Sequence, residues 1–240
     1  EEMTADRFRG VDRALFSAGA AISRDMREAV TAAGCVMIDN SSAFRMEEDV
    51  PLVVPEVNAG DLAWHSGVIA NPNCSTIQMV VVLDALRALA PIRRVVVSTY
   101  QAASGAGQAA MDELYDQTGD FLAGRETIAS AFAHRIAFNC IPQIDVFLDD
   151  GSTKEEWKMV VETRKILGDD SIGVAVTCVR VPVLRCHSEA LAIEFGSPVS
   201  LAAAREALAS APGVTVLDDP RERLYPMPAL LEGTDDCYVG

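Results

Sequence analysis

The sequence lacks the patterns by which nucleic-acid-binding, membrane-spanning and zinc-binding proteins are usually found. Its 20 lysines and arginines stand against 35 aspartates and glutamates, which gives a net charge of -15 instead of the positive surface that phosphate backbones need. No apolar run reaches the ~18 residues of a membrane span. The six cysteines include no Cys-x-x-Cys pair, so no zinc or redox motif is present. We therefore expect no nucleic-acid partner, no membrane and no metal.

Two further scarcities narrow the chemistry. The glycine-rich pattern Gly-x-Gly-x-x-Gly occurs nowhere, so nucleotide binding cannot be argued from that motif. Only three histidines, His65, His134 and His187, are available as acid/base groups. The cysteines other than Cys74 are expected to be unpaired, reduced core residues, which is typical of a cytoplasmic protein.

The beginning of the chain carries the pattern of half a doubly wound α/β fold. Residues 13–17 are predicted to form a strand, a helix capped by Ser23 is expected to run to about Ala33, and residues 35–39 are expected to form the next strand. Ligands in such folds lie at the carboxyl ends of the strands. The helix N-terminus after the turn at 17–19 is therefore a candidate phosphate site.

The pattern changes near Cys74, after which long strands alternate with widely spaced helices. This change favours an α+β second part, and we place the domain boundary between residues 73 and 74. Further predictions, in chain order, are extended segments at 51–58 and 136–142, a helix at 108–123 with Met111, Leu114, Tyr115 and Leu122 in the core, a helix beginning at Ser152 or Thr153, strands at 93–101, 174–183, 190–195 and 214–217, a helix at 199–209, and a loop at 225–228.

A cysteine stands at the predicted start of a buried helix, within Asn71-Pro72-Asn73-Cys74-Ser75-Thr76. Pro72 favours a tight turn, and Asn73 or Ser75 is suited to cap the helix. The helix dipole and unpaired N–H groups at that end favour an ionised thiol. The alternative is that Cys74 is an inert buried cysteine.

A cysteine nucleophile needs an acid/base group near it in space. His187 is the best candidate because it is expected to share a strand with Arg180, a residue type that binds carboxylates with two parallel hydrogen bonds. The residues alone do not show that His187 meets Cys74.

Eight stretches together resemble the bacterial aspartate-semialdehyde dehydrogenase family, in order over nearly the whole chain. They are Leu15-Phe16-Ser17-Ala18-Gly19, Ile38-Asp39-Asn40-Ser41-Ser42-Ala43-Phe44-Arg45, Val53-Val54-Pro55-Glu56-Val57-Asn58, Asn71-Pro72-Asn73-Cys74-Ser75-Thr76, Tyr100-Gln101-Ala102-Ala103-Ser104-Gly105-Ala106-Gly107, Ile136-Ala137-Phe138-Asn139, Thr153-Lys154-Glu155-Glu156-Trp157-Lys158, and Arg180-Val181-Pro182-Val183 running to His187-Ser188-Glu189.

The resemblance implies a role for each matching residue. Cys74 is the nucleophile that forms an acyl-thioester, His187 is the general acid/base, and Gln101 orients the substrate. Arg180 binds the substrate carboxylate and Glu155 binds its amino group, while the phosphate is bound by Arg45, Asn73 and Lys158. The residues along the cofactor, NADP, are Ser104, Gly105, Ser17, Ala18 and Gly19. The implied reaction is the reductive dephosphorylation of L-aspartyl-4-phosphate to L-aspartate-4-semialdehyde, in the biosynthesis of lysine, threonine and methionine.

The resemblance also implies a fold: the remnant of a Rossmann-like NADP-binding domain, followed by an α+β catalytic and dimerisation domain with a mixed sheet, assembled as a homodimer. Against the family pattern, the chain is expected to be an internal fragment that lacks the opening strand with its glycine-rich turn and the C-terminal helix. Ala20 and Cys186 stand where family members often carry glycine. The alternatives are a related acyl-phosphate reductase, such as N-acetyl-glutamyl-phosphate reductase, and a non-catalytic homologue that serves as a dimerisation module.

Overall fold

The computed structural model describes residues 3–240 and divides them into two compact units. The first unit contains the described residues up to Val81 together with 161–170, and the second contains 82–160 and 171–240. Among the described residues, no helix is both long and apolar enough to cross a membrane.

A three-stranded parallel sheet in the order β1–β2–β3 forms the centre of the first unit. Its elements in chain order are β1 (Arg13–Phe16), α1 (Ala20–Ala32), β2 (Val36–Asp39), the short helix α2 (Pro55–Asn58) and β3 (Val68–Ala70), followed by α3 (Cys74–Arg87), which begins in this unit. The predicted strand–helix–strand pattern is confirmed. Such a sheet brings the carboxyl ends of its strands to one edge, where the turns after β1, β2 and β3 lie.

Helix α1 begins three residues before the predicted cap at Ser23. Its N-cap is Gly19, whose φ of +94° is a backbone conformation that glycine adopts without strain. Ser23 is instead fully buried inside the helix, where its Oγ donates a 2.6 Å hydrogen bond to Asp39 Oδ1. The serine hydroxyl satisfies a buried carboxylate 16 residues away, a role that local spacing did not reveal.

The segment 51–58 is extended only in its first half, so the prediction was wrong for 55–58. Pro55 occupies the first turn of α2, where its missing N–H costs nothing. The Asn58 side chain closes the turn, since its Oδ1 accepts a 2.8 Å hydrogen bond from the Val54 N–H. A 3₁₀ helix at Ala59–Trp64 follows.

A mixed sheet in the order β5–β4–β6 organises the second unit. Its elements are β4 (Ile92–Gln101), a 3₁₀ turn at Ala103–Ala106, α4 (Gln108–Leu122), α5 (Lys154–Leu167), β5 (Gly173–Arg180) and β6 (Ser188–Phe195). Residues 161–167 of α5 belong to the first unit. Strand β4 pairs parallel with β5 and antiparallel with β6. The carboxyl ends of β4 and β5 therefore meet the start of β6 at one edge of the sheet, and the predicted mixed sheet is confirmed.

Alternation along β4 gives the sheet one buried face and one open face. Val95, Val97, Thr99 and Gln101 are buried, whereas Val96 and Tyr100 are 41% and 46% exposed. This period of two is the signature of a strand with a single face against the core. Gln101, at the C-terminal end of the strand, therefore lies on the face that packs against the core.

Two predictions for the second unit were wrong in part: the core residues of the helix at 108–123 and the extended segment at 136–142. Leu114 is buried in a cluster with Ala103, Ile136, Ala137 and Ile141, but Tyr115 and Leu122 are each 74% exposed. In the described chain, 136–142 contains only a single bridge, between Ile141 and Arg180, because Phe138 turns the backbone with a φ of +58°. Tyr115 and Leu122 had been assigned to the core from their roughly helical spacing, which did not show that they lie on the far side of α4.

The last part of the second unit contains a small parallel pair of strands. It consists of α6 (Leu201–Ser210), β7 (Val214–Val216), α7 (Pro228–Leu231) and β8 (Cys237–Val239), with β7 paired to β8. The predicted helix and strand at 199–217 are confirmed, whereas α7 and β8 were not predicted.

Candidate active site

The turn after β3 places Cys74 at the first position of α3. Asn73 is the capping residue, because its Oδ1 accepts hydrogen bonds of 3.0 and 3.2 Å from the N–H groups of Ser75 and Thr76. Cys74 is exposed, so the buried location that the alternative interpretation gave it is wrong. Only Cys35 and Cys178 of the other five are buried; Cys140 is exposed and Cys186 and Cys237 are half-buried, so the expected core location was wrong for these three.

Arg45 lies in the turn after β2 and is held by three acceptors. Its Nε donates to Ser41 O at 3.1 Å and its Nη2 to Asn40 O at 2.9 Å. Its Nη1 pairs at 3.0 Å with Glu162, a residue of the first unit that is only 1% exposed. These bonds leave a second N–H on each terminal nitrogen, so the guanidinium is fixed in place and still has donors for an anion.

The turn Ser17-Ala18-Gly19 precedes the N-terminus of α1. No side chain caps this helix, and its first turn carries no acidic residue. The helix dipole and the N–H groups of the first turn therefore attract an anion such as a phosphate. The residues present fit the phosphate part of a dinucleotide at the position that the sequence predicted.

The edge of the second sheet assembles Gln101, Arg180 and His187. Gln101 ends β4 and lies opposite Arg180, the last residue of β5. His187 immediately precedes β6, so it lies in the β5–β6 connection. The prediction that it shares a strand with Arg180 was wrong. The three residues are neighbours because the strand ends that carry them are neighbours, and Arg180 Nη1 donates a 2.6 Å hydrogen bond to Ala102 O.

Helix α5 presents Glu155 and Lys158 one turn apart. The capping arrangement at its start is reciprocal: Thr153 accepts from Glu156 N, and Glu156 accepts from Thr153 N. Glu155 Oε1 accepts a 3.4 Å hydrogen bond from Gln101 Nε2, and Glu155 Oε2 lies 3.2 Å from Lys158 Nζ. The helix thus brings a buried carboxylate to the glutamine at the end of β4.

Asp145 is the second partner of Lys158, at 2.7 Å. Burial opposes the charged ammonium, but the hydrogen bond to Asp145 and the charges of Glu155 and Asp145 outweigh it and raise the pKa of Lys158 above its usual value. Burial raises the pKa of the Asp145 carboxyl, but the hydrogen bonds from Lys158 and the Val146 N–H, together with the charges of Lys158 and Lys154, outweigh burial and lower the net pKa. Lys158 is therefore a fully charged cation at neutral pH.

A backbone hydrogen bond fixes the tautomer of His187. The Ala102 N–H donates to His187 Nδ1 at 3.0 Å, so the neutral imidazole carries its proton on Nε2. Burial and the positive charge of Arg180 lower the pKa of His187 to about 4, while Glu155 acts in the opposite direction. His187 is therefore neutral near pH 7, with Nε2–H as a donor.

We expect the His187 imidazole to titrate near pH 4 in the folded protein. Its proton NMR resonances, assigned by their loss in His187→Asn, give the midpoint directly. The unfolded chain takes up this proton near pH 6.5. Stability contributed by the neutral ring is therefore complete above that pH and is lost as the pH falls toward 4. The His187→Asn variant should show a flatter stability profile in that window. A titration midpoint near 6.5 would contradict the assigned environment.

The loop after β4 leaves room for the side chains of Arg180 and His187 because residue 105 is glycine. A Cβ on Gly105 would lie 2.9 Å from Arg180 Nη1 and 3.0 Å from His187 Nε2. Ser104 is anchored by a 2.9 Å hydrogen bond from its N–H to Leu184 O. The bare backbone of Gly105 therefore lets the Arg180 and His187 side chains pack closely against the loop.

Three site residues escaped the sequence analysis. Asp145 pairs with Lys158, the Ala102 N–H donates to His187, and Glu162 pairs with Arg45. Asp145 lies 13 residues before Lys158, and the Ala102 N–H 85 residues before His187, so no local spacing marks them. Glu162 offered a signal, since it lies four residues after Lys158 and seven after Glu155, on the same face of α5.

Two family models cover most of the chain. The semialdehyde dehydrogenase NAD binding domain matches residues 1–65, and the semialdehyde dehydrogenase dimerisation domain matches residues 83–240. With a cysteine at a helix start and a histidine and arginine at a sheet edge, the two matches define the class: a nicotinamide-dependent semialdehyde dehydrogenase.

Relatives narrow this class further. The chain is 53% identical to the aspartate-semialdehyde dehydrogenase of Aquifex aeolicus over 236 residues, covering 97% of this chain and 69% of the relative. It is 48% identical to that of Bacillus subtilis over 248 residues, covering 100% of this chain and 72% of the relative. The chain belongs to the aspartate-semialdehyde dehydrogenase family.

Solved structures agree with the family. Aspartate semialdehyde dehydrogenase II from Vibrio cholerae superposes with a TM-score of 0.91 at 45% identity, covering 95% of this chain and 68% of that one. The same enzyme complexed with ASA gives a TM-score of 0.91 at 44% identity, covering 95% and 67%. The predicted family, the enzyme class and the predicted fold class are confirmed.

Proposed function

We propose that this protein interconverts L-aspartyl-4-phosphate and L-aspartate-4-semialdehyde through a thioester on Cys74, with NADP as the hydride carrier. The observation that carries the proposal is the pair of buried, oppositely charged residues next to Gln101, namely Glu155 on α5 and Arg180 at the end of β5. An amino acid with an α-ammonium and an α-carboxylate supplies the two complementary charges. Identity of about half with relatives that carry the aspartate-semialdehyde dehydrogenase name supports the same substrate.

Cys74 is the proposed nucleophile. Its thiolate attacks the acyl carbon of aspartyl phosphate, the C–O bond to phosphate breaks, and inorganic phosphate leaves. Arg45, Asn73 and Lys158 are the proposed phosphate ligands, and the raised pKa of Lys158 supports a permanent positive charge in that role. In the opposite direction the same residues hold the phosphate that attacks the thioester.

His187 and Gln101 are proposed to control the reacting carbonyl. A bound nicotinamide supplies or accepts the hydride. His187 donates its Nε2–H to the oxygen or thiolate on which negative charge develops, which agrees with the tautomer set by Ala102. Gln101 orients the acyl group from the end of β4. Ser17, Ala18 and Gly19 are proposed to face the cofactor phosphates, and Ser104 and Gly105 to lie along the cofactor.

Assembly as a homodimer is the proposed quaternary state. The match of 83–240 to a dimerisation domain supports it, and so does the open face of β4, on which Val96 and Tyr100 leave large apolar side chains exposed. A second copy of the chain is the partner that would cover such a face in a symmetric pair.

Substrate discrimination tests the proposal in the full-length protein. The assay follows NADPH formation from aspartate semialdehyde in the presence and absence of phosphate. We expect activity that requires phosphate and falls about 100-fold or more in kcat/KM with succinic semialdehyde, which lacks the amino group that Glu155 would bind. Equal or higher activity with N-acetyl-glutamate semialdehyde would identify the related acyl-phosphate reductase. No activity with any of the three would support a non-catalytic dimerisation module.

A further inference from the structure

One buried carboxylate joins two parts of the candidate phosphate site. Glu162 is 1% exposed, and its two oxygens serve different partners. Oε1 pairs with Arg45 Nη1 at 3.0 Å, and Oε2 accepts a 2.6 Å hydrogen bond from the Asn73 N–H. All three residues lie within the first unit. The same side chain therefore contacts the turn after β2 and the turn after β3.

Each partner matters for the position of a reacting group. Arg45 presents its remaining N–H groups to an anion, and their direction depends on how the planar guanidinium is held. Asn73 directly precedes Cys74 and caps α3 through its side chain. A carboxylate that is bonded to both residues fixes the distance between the arginine and the turn that carries the thiol.

The energetics argue that this carboxylate is retained for its geometry. Removing a carboxylate from water is costly unless it is paired and hydrogen-bonded. The charge-assisted bonds to Arg45 and Asn73 provide that compensation, and such bonds are shorter and stronger than neutral ones. Glu162 also lies with Glu155 and Lys158 within an arc of about 60° on α5.

We propose that Glu162 is a positioning residue that aligns Arg45 with the Cys74 turn so that phosphate is bound next to the acyl carbon. This proposal rests on the phosphate-dependent activity proposed above. Glu162 takes no proton and touches no substrate; it acts through the two groups that it holds. Its loss should therefore weaken the use of phosphate and leave the binding of the aldehyde almost unchanged.

The variant Glu162→Gln tests this with little change in volume. A glutamine keeps one carbonyl oxygen, which can accept from Arg45 or from the Asn73 N–H, while its NH₂ group faces the other donor. We expect the KM for phosphate of the full-length enzyme to rise about tenfold or more, as for other residues that orient a ligand-binding group. The KM for aspartate semialdehyde should change less than about twofold. Glu206→Gln, at an exposed position on α6, is the matched control.

A second variant separates positioning from folding. Glu162→Asp keeps the charge but is shorter, and we expect its phosphate KM to lie between those of the parent and Glu162→Gln. Thermal melting by circular dichroism accompanies each assay. Equal rises of both KM values, an unchanged phosphate KM, or loss of the folded signal in both variants would each overturn the proposal. An inactive parent enzyme would instead refute the proposed function, because the parent is assayed first.

Discussion

Replacing Cys74 by serine is expected to lower kcat for phosphate-dependent oxidation of aspartate semialdehyde by about 10⁴-fold or more, because the reaction loses its nucleophile. The hydroxyl of serine ionises far less readily than a thiol, and the helix start that favours an anion cannot close that gap. The variant should fold normally, since Cys74 is exposed and the cap of α3 is made by Asn73. NADPH formation in the full-length protein, followed at saturating substrate, measures the loss.

The covalent intermediate provides a second measurement of the same prediction. Incubation with aspartate semialdehyde and NADP, without phosphate, should leave an aspartyl group on Cys74, which mass spectrometry of the acid-quenched protein detects. Adding phosphate should discharge it. Cys140→Ser is the matched control, since Cys140 is another exposed thiol and lies outside the candidate site. Normal turnover by Cys74→Ser, or an adduct on any other residue, would contradict the proposed mechanism.

The sequence predicted the local parts of this site well because local chemistry specifies them. Pro72 and Asn73 define a turn and a cap within a few residues, and the structure has that cap. The Thr153–Glu156 pair likewise marks the start of α5 through its capping box. The strand predicted at 93–101 is β4, Ile92–Gln101. In each case the residues that make the structure are neighbours in the chain.

The same analysis failed where a distant partner decided the outcome. Ser23 was assigned to a cap by propensity, but its hydroxyl serves Asp39 on the next strand. Strand β8 has three residues and exists only through its pairing with β7. Roughly helical spacing did not reveal that Tyr115 and Leu122 lie on the exposed side of α4. Tertiary contacts override local preference in all of these places, and no single-chain pattern records them.

Helix α5 shows how a partly predicted site is completed by packing. Family resemblance pointed to Glu155 and Lys158, and both lie where one face of the helix meets other groups of the second unit. Lys158 is fixed by Asp145, which lies in a loop that carries no recognisable motif. Asp145 itself has a φ of +67°. The candidate binding residues were thus easier to find than the residues that hold them, because only the former belong to short conspicuous motifs.

Replacing Arg180 by leucine is expected to raise the KM for aspartate semialdehyde about 100-fold, since losing one partner of a buried charge pair costs ~3 kcal/mol. Leucine keeps part of the apolar stem but removes the guanidinium, whose Cζ lies over the Phe132 ring at 5.9 Å from its centroid. The semialdehyde that lacks the α-carboxylate, 3-aminopropanal, isolates the effect. The parent enzyme should prefer aspartate semialdehyde strongly, and Arg180→Leu should lose most of that preference. Arg94→Lys, an exposed position on β4, is the control.

The same substitution should also change the titration of His187, which separates a binding role from general damage. The charge of Arg180 is one of the causes that keep the pKa of His187 near 4, so its removal should raise that pKa while burial still holds it below the usual value. Arg180→Lys retains the charge and should leave the titration close to that of the parent, yet it should restore only part of the substrate preference, because lysine cannot make the bidentate contact. A leucine variant that kept its preference for aspartate semialdehyde, with an unchanged His187 midpoint, would remove Arg180 from both roles.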